Sequence, residues 1–262
     1  MSAPGDQSGL GLVVKHEDDI QKIVDVAVLL DGTGSMGDEI TAAAETMVTN
    51  ISLLKTKYPN CVFRVALVVY RDYDEDDEFV IMDFTDNVES IVSTLMREKA
   101  SGGGDSAENV AGGLAHLLDL SWQGDICQVF WVADAPAHGD RFHTASISDY
   151  HRDGDRDGLD PEQLIWRMAQ QNIGISFFKM NTTTDKMIEV LDASYQRGRI
   201  PGNKSNFIVA DVSEQLYKAK SYGHVDRGMG GMEMDDGPAL FSSPSAMAYQ
   251  EQFIDAVSSQ LE

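Results

Sequence analysis

Cysteine is nearly missing from this chain: Cys61 and Cys127 are its two thiols among 262 residues. Both stand at the starts of apolar runs and read as small core residues. A disulfide-stapled secreted scaffold is thereby excluded, and a cytoplasmic protein is the simpler expectation. Basic side chains are scarce as well. Lys and Arg number 20 against 43 Asp and Glu, a formal net charge of −23, which repels phosphate backbones and anionic lipid and excludes nucleic acid as a partner. No apolar run approaches the ~18 residues of a membrane span, and the opening MSAPGDQSGLG lacks the basic and apolar regions of a secretion signal. Neither a G-x-x-x-x-G-K-[ST] phosphate loop nor a Ser-His-Asp or Cys-His pattern is present.

What the chain does have is concentrated in Ile23 to Met36, IVDVAVLLDGTGSM. An apolar run stops at Asp31, and two hydroxyls, Thr33 and Ser35, follow between the glycines Gly32 and Gly34, which permit a tight turn. Ile40, Ala44, Met47, Ile51 and Leu54 then recur on one face, the spacing of an amphipathic helix. The pattern predicts a buried strand, an oxygen-rich loop and a helix. A carboxylate and two hydroxyls are hard donors, suited to Mg²⁺, Mn²⁺ or Ca²⁺ and poorly suited to Zn²⁺.

Further along, Cys61 to Tyr70 and Phe79 to Phe84 predict two strands joined closely enough for an antiparallel hairpin. Helices are expected at Asn87 to Lys99 and around Val110, Leu114, Leu117 and Leu118. A doubly covered strand should span Ile126 to Ala133, followed by a long loop to about Asp160. A helix from Pro161 to Gln171, a strand Ile173 to Met180, a helix near Asp185 to Tyr195 and a strand Phe207 to Ala210 come next. Tyr249, Phe253, Ala256 and Val257 mark a closing helix. Strands alternating with helices predict an α/β fold: a doubly wound, mostly parallel six-stranded sheet with an antiparallel edge strand and helices on both faces. Residues 1–20 read as a flexible arm, 21–262 as one domain and 221–245 as a Gly/Met-rich insertion whose Met229, Met232 and Met234 offer an adaptable apolar surface. Ligands of such sheets bind beyond the carboxyl ends of the strands where the chain order reverses, so Asp31 and Asp134 should be neighbours.

D-G-T-G-S resembles the first metal-binding motif, D-x-S/T-x-S, of von Willebrand factor A domains, and the strand-end Asp134 in V-A-D-A-P matches their second carboxylate. Their remaining ligand is a Thr, and here the corresponding loop carries Asp105 in G-G-G-D. D-x-T-G-S-M (Asp31 to Met36), Y-R-D (Tyr70 to Asp72), G-G-G-D (Gly102 to Asp105) and D-A-P-x-H-G (Asp134 to Gly139) occur in that order. Together they resemble the intracellular branch of the family associated with atypical alpha-kinases. The resemblance implies that Thr33 and Ser35 ligate a divalent cation directly while Asp31 orients them, with Asp105 and Asp134 completing the site. It further implies a non-enzymatic module that recognises a protein partner through Mg²⁺.

Other readings stand beside these. Asp105 also has capping-box spacing with Glu108. Asp31 with the following Gly-Thr resembles a haloacid-dehalogenase phosphatase, although the place of the second Asp in that family is taken by Thr33. A structural scaffold with a vestigial site is a third possibility. Asp72 is expected near the cleft, Arg71 either holds its carboxylates or lies on the surface, and Asp74 to Asp77 form a solvated turn. Asp153, Asp155 and Asp157 copy half of an EF-hand loop whose twelfth position is Leu164, so a solvated acidic loop is expected. His138, His143 and His151 read as loop histidines.

Overall fold

The computed structural model describes residues 21–213 and 244–262. The expected arm, and all but the last two residues of the expected insertion, lie outside them. Six strands form one sheet: β1 (Lys22–Asp31), β2 (Cys61–Tyr70), β3 (Phe79–Thr85), β4 (Ile126–Ala133), β5 (Ile173–Lys179) and β6 (Phe207–Asp211). Their order is β3-β2-β1-β4-β5-β6. All pairings are parallel except that of β2 with β3. The chain leaves β1 to one side and returns through β4 on the other, so the order reverses between the two strands that end at Asp31 and Ala133.

β1 and β4 are apolar nearly throughout because both of their faces are covered. Val24, Val26, Val28 and Leu30 face α1 (Gly37–Lys57), α2 (Val88–Leu95) and the closing helix Pro244–Leu261, where they meet Ile40, Met47, Ile51, Leu54, Ile91 and Phe253. Ala27 and Leu29 face α3 (Val110–Leu118), α4 (Pro161–Gln170) and α5 (Asp185–Gly198), against Leu114, Ile165, Met168 and Leu191. The period-2 alternation of a strand divides its side chains between these two cores. Among the described residues, no helix is long and apolar enough to cross a membrane.

One departure from the expected elements has a tertiary cause. The helix expected to reach Lys99 ends at Leu95, because the next residues are drawn to the buried Arg71. Its Nη2 donates to Glu98 Oε2 at 3.0 Å and to the Lys99 carbonyl at 3.1 Å. Within the apolar β1, Asp25 is fully buried. It accepts from Arg64 Nε and Nη2 at 2.8 and 2.6 Å and from the Gln123 and Gly124 amides at 2.7 Å each, which ties β1 to β2 and to the approach of β4.

Candidate metal centre

The cleft lies beyond the carboxyl ends of β1 and β4. The Gly32 amide extends the β1–β2 ladder by donating to the Tyr70 carbonyl at 2.8 Å. A Cβ at Gly32 would come within 2.6 Å of Val69 Cγ1, so only glycine permits this close approach. The chain then bends around the Asp31 carboxylate, whose Oδ1 accepts from the Thr33 amide at 2.9 Å and from the Thr33 hydroxyl at 2.6 Å. Ser35, carried on a single 3-10 turn, donates from Oγ to Asp134 Oδ1 at 3.0 Å. The Asp134 carbonyl is held in turn by Asn181 Nδ2 at 2.9 Å and by the Thr183 hydroxyl. The neighbourhood of Asp31 and Asp134 expected from topology is therefore present. Thr33, Ser35, Asp105, Glu108 and Asp134 all line the same cleft, with Gly102 and Gly103 at its rim.

Asp31 itself lies beneath the cleft at 0% exposure, and its Oδ2 has no hydrogen-bond partner among the described residues. Burial, followed by repulsion from Asp134, pushes its pKa from 3.8 up to about 7; the two bonds from Thr33 and the charge of Arg71 oppose the shift. A raised folded-state pKa makes the protonated form the favoured one. The stability it contributes is complete below 3.8 and is lost as pH rises toward 7. A divalent cation held in the cleft above would favour the ionised carboxylate and offset that penalty. The Mg²⁺-induced rise in melting temperature should therefore increase between about pH 5 and pH 8, measured by thermal melts at matched ionic strength. An increment that is flat or falls with pH would separate Asp31 from the metal.

Asp105 does not cap α3. Its Oδ1 accepts from the Ala107 amide at 3.1 Å and its Oδ2 from the Tyr150 amide at 2.5 Å, joining the Gly-rich loop to the long connection after β4. The cap is Asn109, whose Oδ1 accepts from the Gly112 amide at 2.8 Å. The helix begins later than the capping-box spacing implied because the Glu108 amide is already committed to the Pro136 carbonyl at 3.0 Å. Asn109→Ala should cost about 1 kcal/mol in a urea melt. A loss well below that would deny Asn109 the capping role.

Glu108 was visible in the sequence only as the second half of that capping box. It is 3% exposed, its Oε2 has no partner among the described residues, and burial, then Asp31, Asp72, Asp105 and Asp134, push its pKa up to about 10. Arg71 does not pair with the cleft carboxylates. It donates to the Asp77 carbonyl at 2.7 Å and to the Glu98 segment, so it braces the loops around the cleft, and only its charge reaches Asp31.

The three histidines are more than loop residues. His138 Nε2 lies 2.8 Å from Asp72 Oδ1 and its Nδ1 lies 2.8 Å from Asp149 Oδ1; His143 Nε2 lies 2.8 Å from Asp149 Oδ2. Burial opposes charge on His138, but its bonds to Asp72 and Asp149 outweigh burial and raise its pKa. Its ring stacks on Tyr73, and His151 packs edge-on against both. Asp155 is consumed locally: its Oδ1 accepts from the Asp157 and Leu159 amides and its Oδ2 from the Tyr73 hydroxyl. The EF-hand-like run is thus a turn holding Tyr73, with Asp153 and Asp157 exposed.

The donor set at the cleft fits a hard divalent ion. Its atoms are carboxylate and hydroxyl oxygens, two buried carboxylate oxygens, Asp31 Oδ2 and Glu108 Oε2, lack a donor among the described residues, and the nearby carboxylates repel one another. In doubly wound α/β domains the point of chain reversal, where this cleft lies, is the place at which ligands bind. Residues 25–152 match the sequence profile of the von Willebrand factor A domain and belong to that family. The chain is similar to the alpha-protein kinase vwkA of Dictyostelium discoideum, 28% identical over 194 residues, which cover 73% of this chain and 30% of that protein. It is also similar to a putative ariadne-like RING finger protein, R811, of Acanthamoeba polyphaga mimivirus, 29% identical over 120 residues, 46% of this chain and 12% of that one. The chain thus spans less than a third of either relative's length. The pilus adhesin SpaC of Lactobacillus rhamnosus GG shares the fold at a TM-score of 0.50, with 10% identity over 78% of this chain and 30% of the adhesin.

Proposed function

We propose that this chain is a non-enzymatic interaction module that holds Mg²⁺, with Mn²⁺ or Ca²⁺ as substitutes, and uses it to bind a protein partner. Thr33, Ser35, Asp134 and Asp105 offer oxygens from the walls of the cleft, and Asp31 orients the two hydroxyls from below. The observation that carries this reading is the Ser35–Asp134 contact across the strand ends, beside a buried Asp31 whose Oδ2 meets no donor among the described residues. A bound cation supplies a Lewis-acidic position for an oxygen of the partner. The family membership of residues 25–152 supports the same reading, as does the similarity to segments of longer kinase and RING finger proteins.

Phosphoester hydrolysis is the poorer reading. Asp31 is fully buried, and the residue two places on, where a general acid would stand, is a threonine bonded to it. The test has two arms. A protein retained by the immobilised chain in Mg²⁺ should be released by EDTA and should not be captured by the Thr33→Ala, Ser35→Ala variant. No hydrolysis of p-nitrophenyl phosphate should depend on Asp31. EDTA-insensitive capture, or Asp31-dependent turnover, would overturn the proposal.

A further inference from the structure

A second group of potential ligands adjoins the cleft. One carboxylate oxygen each from Asp72 and Asp105 and one ring nitrogen of His138 all lie within 4.8 Å of one another. Ligand atoms of a tetrahedral Zn²⁺ bound at about 2.0–2.2 Å lie roughly 3.3–3.6 Å apart, so the three side chains must draw together by about 1 Å to hold one ion. The three come from distant parts of the chain: the end of β2, the Gly-rich loop and the connection after β4.

His138 is oriented in the way that metal-ligating histidines are. Asp149 faces its Nδ1 at 2.8 Å, and this carboxylate is fixed by the Gly139 and His151 amides at 2.8 and 2.7 Å and by His143 at 2.8 Å. A carboxylate that accepts the Nδ1 proton leaves Nε2 as the ligating atom and holds the ring at a set angle. That Nε2 points at Asp72. Glu108, which feels the charge of both groups, is an independent sign of a place for a cation. It is 3% exposed and its Oε2 is unpartnered among the described residues. The carboxylates around it belong to both groups, Asp31 and Asp134 on one side and Asp72 and Asp105 on the other.

We infer that Asp72, Asp105 and His138 Nε2 form a second cation site that takes a borderline transition ion of the Zn²⁺ class, next to the hard-cation cleft that Glu108 lines. The imidazole nitrogen gives this site the selectivity that the all-oxygen cleft lacks, because nitrogen ligation suits Zn²⁺ and does not suit Mg²⁺. Asp105 stands on the wall between the two groups, lining the cleft while facing His138.

The test uses the full 262-residue chain carrying Thr33→Ala and Ser35→Ala. This removes the hydroxyls on which the proposed function rests and separates failure of that reading from failure of this one. Zn²⁺ alone is titrated by calorimetry while the histidine rings are followed by nitrogen-15 NMR. One Zn²⁺ should bind per chain, the His138 Nε2 resonance should shift in step with saturation, and Asp72→Asn should weaken binding by at least about tenfold. Absence of Zn²⁺ binding, Zn²⁺ binding that leaves the His138 ring unmoved, or affinity unchanged in a folded Asp72→Asn chain would overturn the inference. If Asp72→Asn does not fold by circular dichroism, the ring resonance of the folded parent decides alone.

Discussion

Replacing Thr33 and Ser35 together with alanine is expected to abolish the thermal stabilisation that Mg²⁺ gives the unsubstituted chain. A ligand at 100 times its Kd stabilises the folded state by about 2.7 kcal/mol. For a domain of this size that corresponds to a rise of roughly 5–10 °C in Tm. The double substitution should remove all of it. Thr33 donates to Asp31 at 2.6 Å and Ser35 to Asp134 at 3.0 Å, so both hydroxyls sit where the two carboxylates converge. Without them the two carboxylates lose the hydroxyls that, in the proposed site, share the ion between β1 and β4. The metal-free stability should change much less, since Ser35 is exposed and the Thr33 amide still bonds Asp31. Thermal melts of both chains across an Mg²⁺ series measure the difference. Retention of the full increment by the double variant would place the ion elsewhere.

Asp149→Ala is expected to cost about 3–5 kcal/mol of folding free energy, the largest loss from any single substitution considered for this protein. This carboxylate accepts from two backbone amides and faces two imidazoles, all while buried. Those donors hold its pKa well below the usual carboxylate range despite burial. A lowered folded-state pKa contributes stability that is present above 3.8 and is lost only as pH falls far below that value, so the contribution is complete at neutral pH. Alanine leaves two buried histidines and two amides without their acceptor, and the penalty of each unmet group adds to the loss of the pair. Asp149→Asn retains one acceptor oxygen and should lose less. Urea midpoints at pH 7 and pH 5 compare the three chains. A loss below about 1 kcal/mol in the alanine variant would show that the connection after β4 is held by its other contacts, such as Lys186 Nζ donating to the Asp140 and His143 carbonyls.

Much of the architecture was legible from local pattern. Apolar runs, a change of period after Ser35 and a short charged turn after Tyr70 are properties of neighbouring residues, and they suffice for the strand and helix order. A sheet whose chain leaves to one side and returns on the other places the ends of β1 and β4 together. For that reason Asp31 and Asp134, separated by most of the first half of the chain, could be assigned to one cleft before any contact was known. The motif Asp31, Thr33, Ser35 was equally readable, because all of its internal bonds lie within a single turn.

Only the tertiary structure decided the partners of the remaining polar groups. Asp105 bears capping-box spacing, yet it bonds an amide of the long connection, and Asn109 takes the cap. Arg71 reaches the Glu98 segment and shortens α2, an effect absent from that helix's own periodicity. His138, Asp72 and Asp149 have no sequence spacing that marks them as a set, and Glu108 has no signal beyond its neighbour's cap. Secondary structure follows from interactions over a few residues, which the order of side chains encodes directly. The partner of a buried charge is whichever group loop closure carries to it, and in this chain that was settled by where the connection from Asp134 to Asp160 folds back over the strand ends.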